Sequence, residues 1–142
     1  MIRVFWDTNL FVYLIGDQGD LAERVVSLRK KMLQAERKDE LYTSSLTLGE
    51  VLAKPMQLGH KTFMKQYWKA IEGGAKIIPF DNHAAVHYAR IRNDRTIHPA
   101  DAIQLACAAA AQIDLFITND ERLSEKNVEG IESIVSLEKL SL

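Results

Sequence analysis

The sequence predicts an α/β fold, a mostly parallel sheet covered by helices on both faces. Two observations point there. Short apolar, β-branched runs alternate with helical stretches along the whole chain, and such alternation implies right-handed crossovers between parallel strands. No repeat, low-complexity tract or Pro/Gly/Ser-rich linker divides the chain, so one scaffold carries every motif. At 142 residues the chain fits a single domain over residues 1–142 and excludes two full ones. Apolar residues at 47% and charged ones at 26% give the balance of a self-folding globular protein.

The elements follow in order. Ile2 to Trp6 reads as a strand, and Asp7-Thr8-Asn9 supplies capping groups for a helix through Tyr13 and Leu14. Asp20 caps a helix from Leu21 to about Lys38, in which Leu21, Val25, Leu28, Met32 and Ala35 recur at helical spacing. Leu41-Tyr42-Thr43 is a second strand. Ser44 or Ser45 caps the next helix, with Leu48, Val51 and Leu52 facing inward. A helix from Lys61 to about Ile71 ends at Gly73-Gly74, and Lys76-Ile77-Ile78 makes a third strand before a helix from Asn82 to Arg92. Pro99 opens an alanine-rich helix over about Ala100 to Ala111. It leads into the strand Asp114 to Ile117, the polar corner Thr118-Asn119-Asp120, and a last strand near Ser133 to Val135.

Several function classes drop out. No apolar run approaches the roughly 20 residues that span a bilayer, and the start lacks the apolar core of a signal peptide, so the expected compartment is the cytoplasm and no membrane partner is expected. The single cysteine, Cys107, between two alanines, reads as a small core residue rather than a catalytic thiol. A net charge of −1 does not announce a nucleic-acid binder, so that role must rest on local patches. His83, His87 and His98 lack the spacing of a zinc centre.

Chemistry concentrates in Asp7, Glu50, Asp101 and Asp120, each embedded in apolar sequence where a charge is costly unless compensated. Ligands of α/β sheets bind outside the carboxyl ends of strands, which is where Asp7 and Asp120 fall. Glu50 lies on a helix whose inner face is expected to pack on the sheet, and Asp101 opens a helix too apolar to be a solvated element. Four converging carboxylates repel one another by several kcal/mol. A divalent cation resolves that conflict, and an all-carboxylate set selects Mg²⁺ or Mn²⁺, one ion or two, over Zn²⁺. The chemistry that follows is phosphodiester hydrolysis. Asn9, Thr118 and Asn119 stand beside these acids, either to hold a water or phosphate oxygen or simply to cap helices. Singly, Asp7, Asp101 and Asp120 also make sense as caps or first-turn acids.

These residues resemble the PIN-domain family, metal-dependent ribonucleases that include the toxins of VapBC-type toxin–antitoxin modules. Asp7-Thr8-Asn9 is similar to the family's opening acid motif, and Thr43-Ser44-Ser45 through Gly49-Glu50-Val51-Leu52 to its serine-strand-to-glutamate helix. Ala100-Asp101-Ala102-Ile103-Gln104-Leu105-Ala106 resembles the third-acid helix, and Ile117-Thr118-Asn119-Asp120 the fourth-acid corner. The resemblance covers nearly the whole chain. It implies a three-layer α/β/α sandwich in which Asp7, Glu50, Asp101 and Asp120 coordinate Mg²⁺ or Mn²⁺ as catalytic residues of an endoribonuclease. It also implies a homodimer and a cognate antitoxin that enters the active-site groove. Leu123, where an aromatic is common, and the plain Ala108 to Ala111 run depart from the family pattern.

Outside the acids, Arg90, Arg92, Arg95 and His98 shortly precede Asp101, either as a loop that brings positive charge to the rim for RNA or as solvated loop residues. Lys61, Lys65 and Lys69 line one helix face beside Tyr67 and Trp68, either as a phosphate-tracking stripe with stacking rings or as a solvated face. Met56, Leu58, Phe63, Met64 and Trp68 serve either an intrachain core or, as the resemblance suggests, contacts with a second copy or an antitoxin. Two further functions compete with the nuclease. One is a catalytically silent RNA-binding or assembly protein on the same scaffold. The other is a phosphatase with Asp7 as nucleophile, which the corner Asp7-Thr8-Asn9 disfavours because it lacks the second aspartate of haloacid-dehalogenase phosphatases.

Overall fold

A computed structural model describes residues 1–16 and 19–140. The elements are β1 (Arg3–Trp6), α1 (Thr8–Gly16), α2 (Gly19–Met32), β2 (Glu40–Ser44), α3 (Ser45–Gln57), α4 (Lys61–Gly74), β3 (Lys76–Ile78), α5 (Asn82–Ile91), α6 (Pro99–Ala110), β4 (Ile113–Thr118), α7 (Glu121–Ser124) and β5 (Ile131–Ser136). The five strands form one sheet in the order β3-β2-β1-β4-β5, and every pairing is parallel. Helices cover both faces, so the expected α/β/α sandwich is the architecture found.

A parallel sheet covered on both sides needs strands that are apolar throughout, not alternating. β1 meets that demand: Val4, Phe5 and Trp6 are all buried. The strand period of two then divides them. Phe5 faces the layer of α5 and α6, where it stacks on Phe116 with ring centroids 5.0 Å apart and packs with Ile91, Leu105 and Ala106. Val4 and Trp6 face the other layer with Leu10, Phe11, Val25, Leu28, Met32 and Ile71. The alanines of α6 let that helix lie close to the sheet and its neighbours, and Ala102, Ala106, Ala108 and Ala109 are buried. The approach is tight enough to require Gly130, whose φ is +96° and where a Cβ would sit 2.9 Å from the Ala109 carbonyl oxygen. Cys107 is buried here, and burial pushes its thiol up to about 11, as befits an inert core residue.

Two helix ends differ from the sequence expectation. α2 stops at Met32 instead of running to about Lys38, leaving Ala35 outside it. Helical periodicity continues past Met32, but the sheet wins. The Asp39 N–H donates back to the Met32 carbonyl at 3.0 Å, its buried carboxylate accepts the Ile2 N–H at 3.1 Å, and Lys38 turns the chain at φ +47° so that β2 can pair with β1. Asp20 lies inside the first turn of α2 and does not precede it. α4 continues through Gly73 and Gly74, neither of which has positive φ, and ends at Ala75. Among the described residues no helix is long and apolar enough to cross a membrane.

The strand order fixes where a ligand can sit. From β1 the chain steps outward through β2 to β3, then returns to the other side of β1 for β4 and β5. The direction of winding therefore reverses between β1 and β4, and the carboxyl ends of those two strands open the crevice that α/β folds use for binding.

Candidate active site

Asp7 follows β1 at that crevice and is 9% exposed. Two threonines fix its carboxylate. The Thr8 N–H donates to Oδ1 at 2.8 Å, and the buried Thr118 hydroxyl, at the end of β4, donates to Oδ2 at 2.9 Å. Each threonine also reaches a second acid. The Thr8 hydroxyl donates to Glu50 Oε1 at 2.7 Å, and Thr118 Oγ1 accepts the backbone N–H of Asp120 at 3.1 Å. Asp7, Glu50 and Asp120 are thus tied together through two small side chains. Asp101, in the first turn of α6, approaches from the third side.

The electrostatics record the crowding. Burial pushes the Asp7 carboxyl up to about 6; the hydrogen bonds from Thr118 and Thr8 pull it down, and the charges of Asp101 and Glu50 push it up further. Asp101 is raised by burial first, then by the charges of Asp120 and Glu50, while His98 and Arg122 draw it down. Asp7 thus feels the charges of Asp101 and Glu50, and Asp101 those of Asp120 and Glu50.

As the side chains stand, no three His, Cys, Asp or Glu among the described residues are grouped closely enough to hold a metal ion. Glu50 spends Oε1 on Thr8, and Asp120 spends Oδ1 on capping α7 through the Arg122 N–H at 2.9 Å. The donor chemistry fits a hard divalent cation nonetheless. The central donors are carboxylate oxygens, and Asp7 and Asp101, raised first by burial and then by neighbouring acids, are charges that a cation would compensate.

On α3, Val51 and Leu52 are buried, as the inward-facing reading of that helix has them, while Glu50 is exposed. The helical turn of about 100° per residue separates it from its buried neighbours and aims it at the crevice. The polar candidates also divide. Asn9 is exposed, and the Asn119 amide donates to the Tyr13 hydroxyl at 2.7 Å. Thr118 commits its proton to Asp7, which makes it a holder of an acid and not of a water or phosphate.

Of the arginines read either as rim groups or as solvated loop residues, none lines the groove beside Asp101 and Asp120. Arg90 binds the Glu129 carbonyl at 3.1 Å and His87 at 2.6 Å, Arg92 binds the Ile97 carbonyl at 2.5 Å, and Arg95 is exposed. A groove of about 380 Å³ instead joins Asp101 and Asp120 to Thr96, His98, Arg122 and Lys126. Lys126 is engaged there with Asp94 at 3.0 Å and Thr96 at 2.7 Å, and Thr96 and Lys126 hold the Asp94 carboxyl down to about 2. Arg122 lies 3.6 Å from Asp120 with its side chain 81% exposed. Of the expected cations only His98 lines this groove; Arg122 and Lys126 were not singled out from sequence. The sign that would have found Arg122 is its place two residues after Asp120.

Sequence reasoning also passed over Gln104, which is buried under the rim and bonded to Ser44, Thr8 and Thr47. Its signal was its type: an amide at an inward position of an otherwise alanine-rich helix. Leu123 is buried in the α5–α6 core layer. Met56, Leu58, Phe63 and Trp68, on α3, α4 and the turn between them, are about half exposed and Met64 is half-buried, so these apolar residues do not form a buried intrachain core.

Solved structures with the same architecture include VapBC2 from Rickettsia felis bound to a DNA fragment from their promoter, with a TM-score of 0.75 at 15% identity over 95% of this chain and 98% of that one. DNA-bound VapBC from Salmonella typhimurium gives 0.66 at 21% identity, covering 96% and 99%. FitAcB from Neisseria gonorrhoeae gives 0.60 at 25% identity, covering 82% and 87%. No curated protein matches the sequence. The PIN domain family model matches residues 4–129, which include Asp7, Glu50, Asp101 and Asp120. The chain belongs to the PIN domain family.

Proposed function

We propose that this protein is a divalent-metal-dependent endoribonuclease and the toxin of a toxin–antitoxin module. PIN domains are generally nucleases, and the observation that carries the reading here is the coupling of four acids at the winding reversal, with Asp7 raised to about 6 in their midst. Asp7, Glu50, Asp101 and Asp120 would hold Mg²⁺ or Mn²⁺, one ion or two. When bound, such an ion supplies activation of water at neutral pH and offsets charge on the scissile phosphate.

The remaining work falls to the chain itself. Thr8 and Thr118 hold Asp7 in one orientation, so its oxygens need no reordering when substrate arrives. Arg122 and His98, in the groove beside Asp101 and Asp120, bind a neighbouring phosphate of the RNA strand and counter its repulsion by the acids. The exposed apolar residues of α3 and α4 support contacts with a second copy and with a cognate antitoxin, and the neighbouring VapBC structures support the antitoxin. The proposed setting is the cytoplasm, where RNA is available.

The test is cleavage of structured RNA across Mg²⁺ and Mn²⁺ concentrations, wild type beside Asp7→Asn. Metal-dependent product from wild type and none from the folded variant is expected; cleavage indifferent to a chelator would refute the proposal. One observation favours a second reading, an RNA-binding or assembly protein without turnover: the acids are not grouped around one point as they stand. RNA retained without product under every metal and pH would select it.

A further inference from the structure

Beneath the acids lies a closed set of hydrogen bonds among uncharged side chains. Gln104 is 2% exposed, and its amide meets three hydroxyls. Oε1 accepts from Ser44 Oγ at 2.5 Å, while Nε2 donates to Thr8 Oγ1 at 2.9 Å and to Thr47 Oγ1 at 2.8 Å. Thr8 Oγ1 lies 3.2 Å from Thr47 Oγ1 and 2.7 Å from Glu50 Oε1.

The directions of these bonds form one mutually consistent set. An ionised carboxylate only accepts, so the Thr8 proton must point at Glu50. Thr8 Oγ1 then has only lone pairs to offer Gln104, which must present its NH₂ there and its carbonyl to Ser44. The two amide protons go to Thr8 and Thr47, and the Thr47 proton is free to go to Thr8. Reversing the amide would set two acceptors, Gln104 Oε1 and Glu50 Oε1, against the single proton of the Thr8 hydroxyl, and one of them would go without it.

We propose that Gln104 is a positioning residue: its buried amide fixes the direction of the Thr8 hydroxyl, and that hydroxyl holds Glu50 at the rim beside Asp7. Thr8 is suited to this because its amide already holds Asp7, so one residue sets the spacing of two carboxylates. The network acts on metal binding through Glu50 and touches neither ion nor RNA. It rests on the metal-dependent nuclease reading, as the support beneath that site's ligands.

The experiment measures Mn²⁺ affinity by titration calorimetry for wild type, Gln104→Met, Thr8→Val and the double variant, with circular dichroism to check folding. Outer partners of metal ligands change affinity by about 10- to 100-fold when lost. Each single variant is expected to weaken Mn²⁺ binding by about 10-fold, and the double variant to be no weaker than Thr8→Val alone, because both act along one path. Thr8→Ser, which keeps the hydroxyl, is expected to bind as wild type does. If Gln104→Met fails to fold, Thr8→Val and its rescue by serine decide the matter. Unchanged affinity in a folded single variant, losses that multiply in the double variant, or no rescue by serine would overturn the role of Gln104 while leaving the metal site standing. A wild-type protein that binds no Mn²⁺ would overturn both.

Discussion

At the rim, Thr8, Thr118, Gln104, Ser44 and Thr47 spend their hydrogen-bonding groups on one another and on three acids. About two turns farther along α3, and on α4 beside it, the pattern reverses. Leu58, Phe63 and Met56 stand about half exposed, and Glu50 itself shares a groove of about 540 Å³ with Val12, Leu58, Phe63 and Tyr67. The first region is determined from within, because each polar atom is buried only where the fold supplies its partner. The second is left open by the fold, since its apolar side chains gain little from their own chain. The same helix thus carries an internally fixed acid and an externally directed surface, which is why changes in the two regions should separate chemistry from association.

The largest expected effect breaks the rim alone. Asp7→Asn and Asp101→Asn should each lower RNA cleavage on the order of 10²- to 10⁴-fold while circular dichroism stays native; comparable cleavage by either would place the chemistry elsewhere. The complementary change breaks the apolar face of α3 and α4 alone. Leu58→Ser with Phe63→Ser should convert the proposed dimer to a monomer by light scattering, yet shift stability by only about 0.5 kcal/mol per exposed site. Loss of cooperative unfolding in that variant would show that this face belongs to the core after all.

The rim also responds to pH through Asp7. The Asp7 carboxyl stands at about 6 in the fold against an ordinary 3.8, so the folded state holds this proton more tightly than the unfolded chain. The resulting stability is fully present below about 3.8 and is lost as pH rises through 6. Comparing urea unfolding of wild type and Asp7→Asn, the difference should move in favour of the variant by up to about 3 kcal/mol between pH 4 and pH 7. A pH-independent difference would mean that Asp7 is not desolvated. The smallest effect concerns the groove. Arg122→Ala, measured for RNA binding in the presence of a chelator, should lower the slope of log affinity against log salt by about 1, whereas Arg90→Ala should leave it unchanged.

The strand–helix alternation was legible because apolar runs and capping groups are local signals, and the four acids were legible because each interrupts such a run at a strand end or helix face. What escaped was decided by distant partners. α2 ends at Met32 because Asp39 is claimed by Ile2, 37 positions away, which no periodicity within the helix reports. Gln104 meets Thr8 across 96 positions and Ser44 across 60. Arg90, Arg92 and Arg95 looked promising through their nearness to Asp101 in sequence, but α5 and its following turn use Arg90 and Arg92 on local carbonyls and on Glu129. The adjacency of β1 and β4 instead brings Arg122 to the rim.

Whether these acids act as one metal centre is tested most directly by soaking crystals in Mn²⁺ and locating the ion from its anomalous scattering. A peak ligated by Asp7 and at least two of Glu50, Asp101 and Asp120, with Glu50 still held by Thr8 through Oε1, is the expected result. No peak at the crevice under conditions that support cleavage, or an ion held by other side chains, would contradict it.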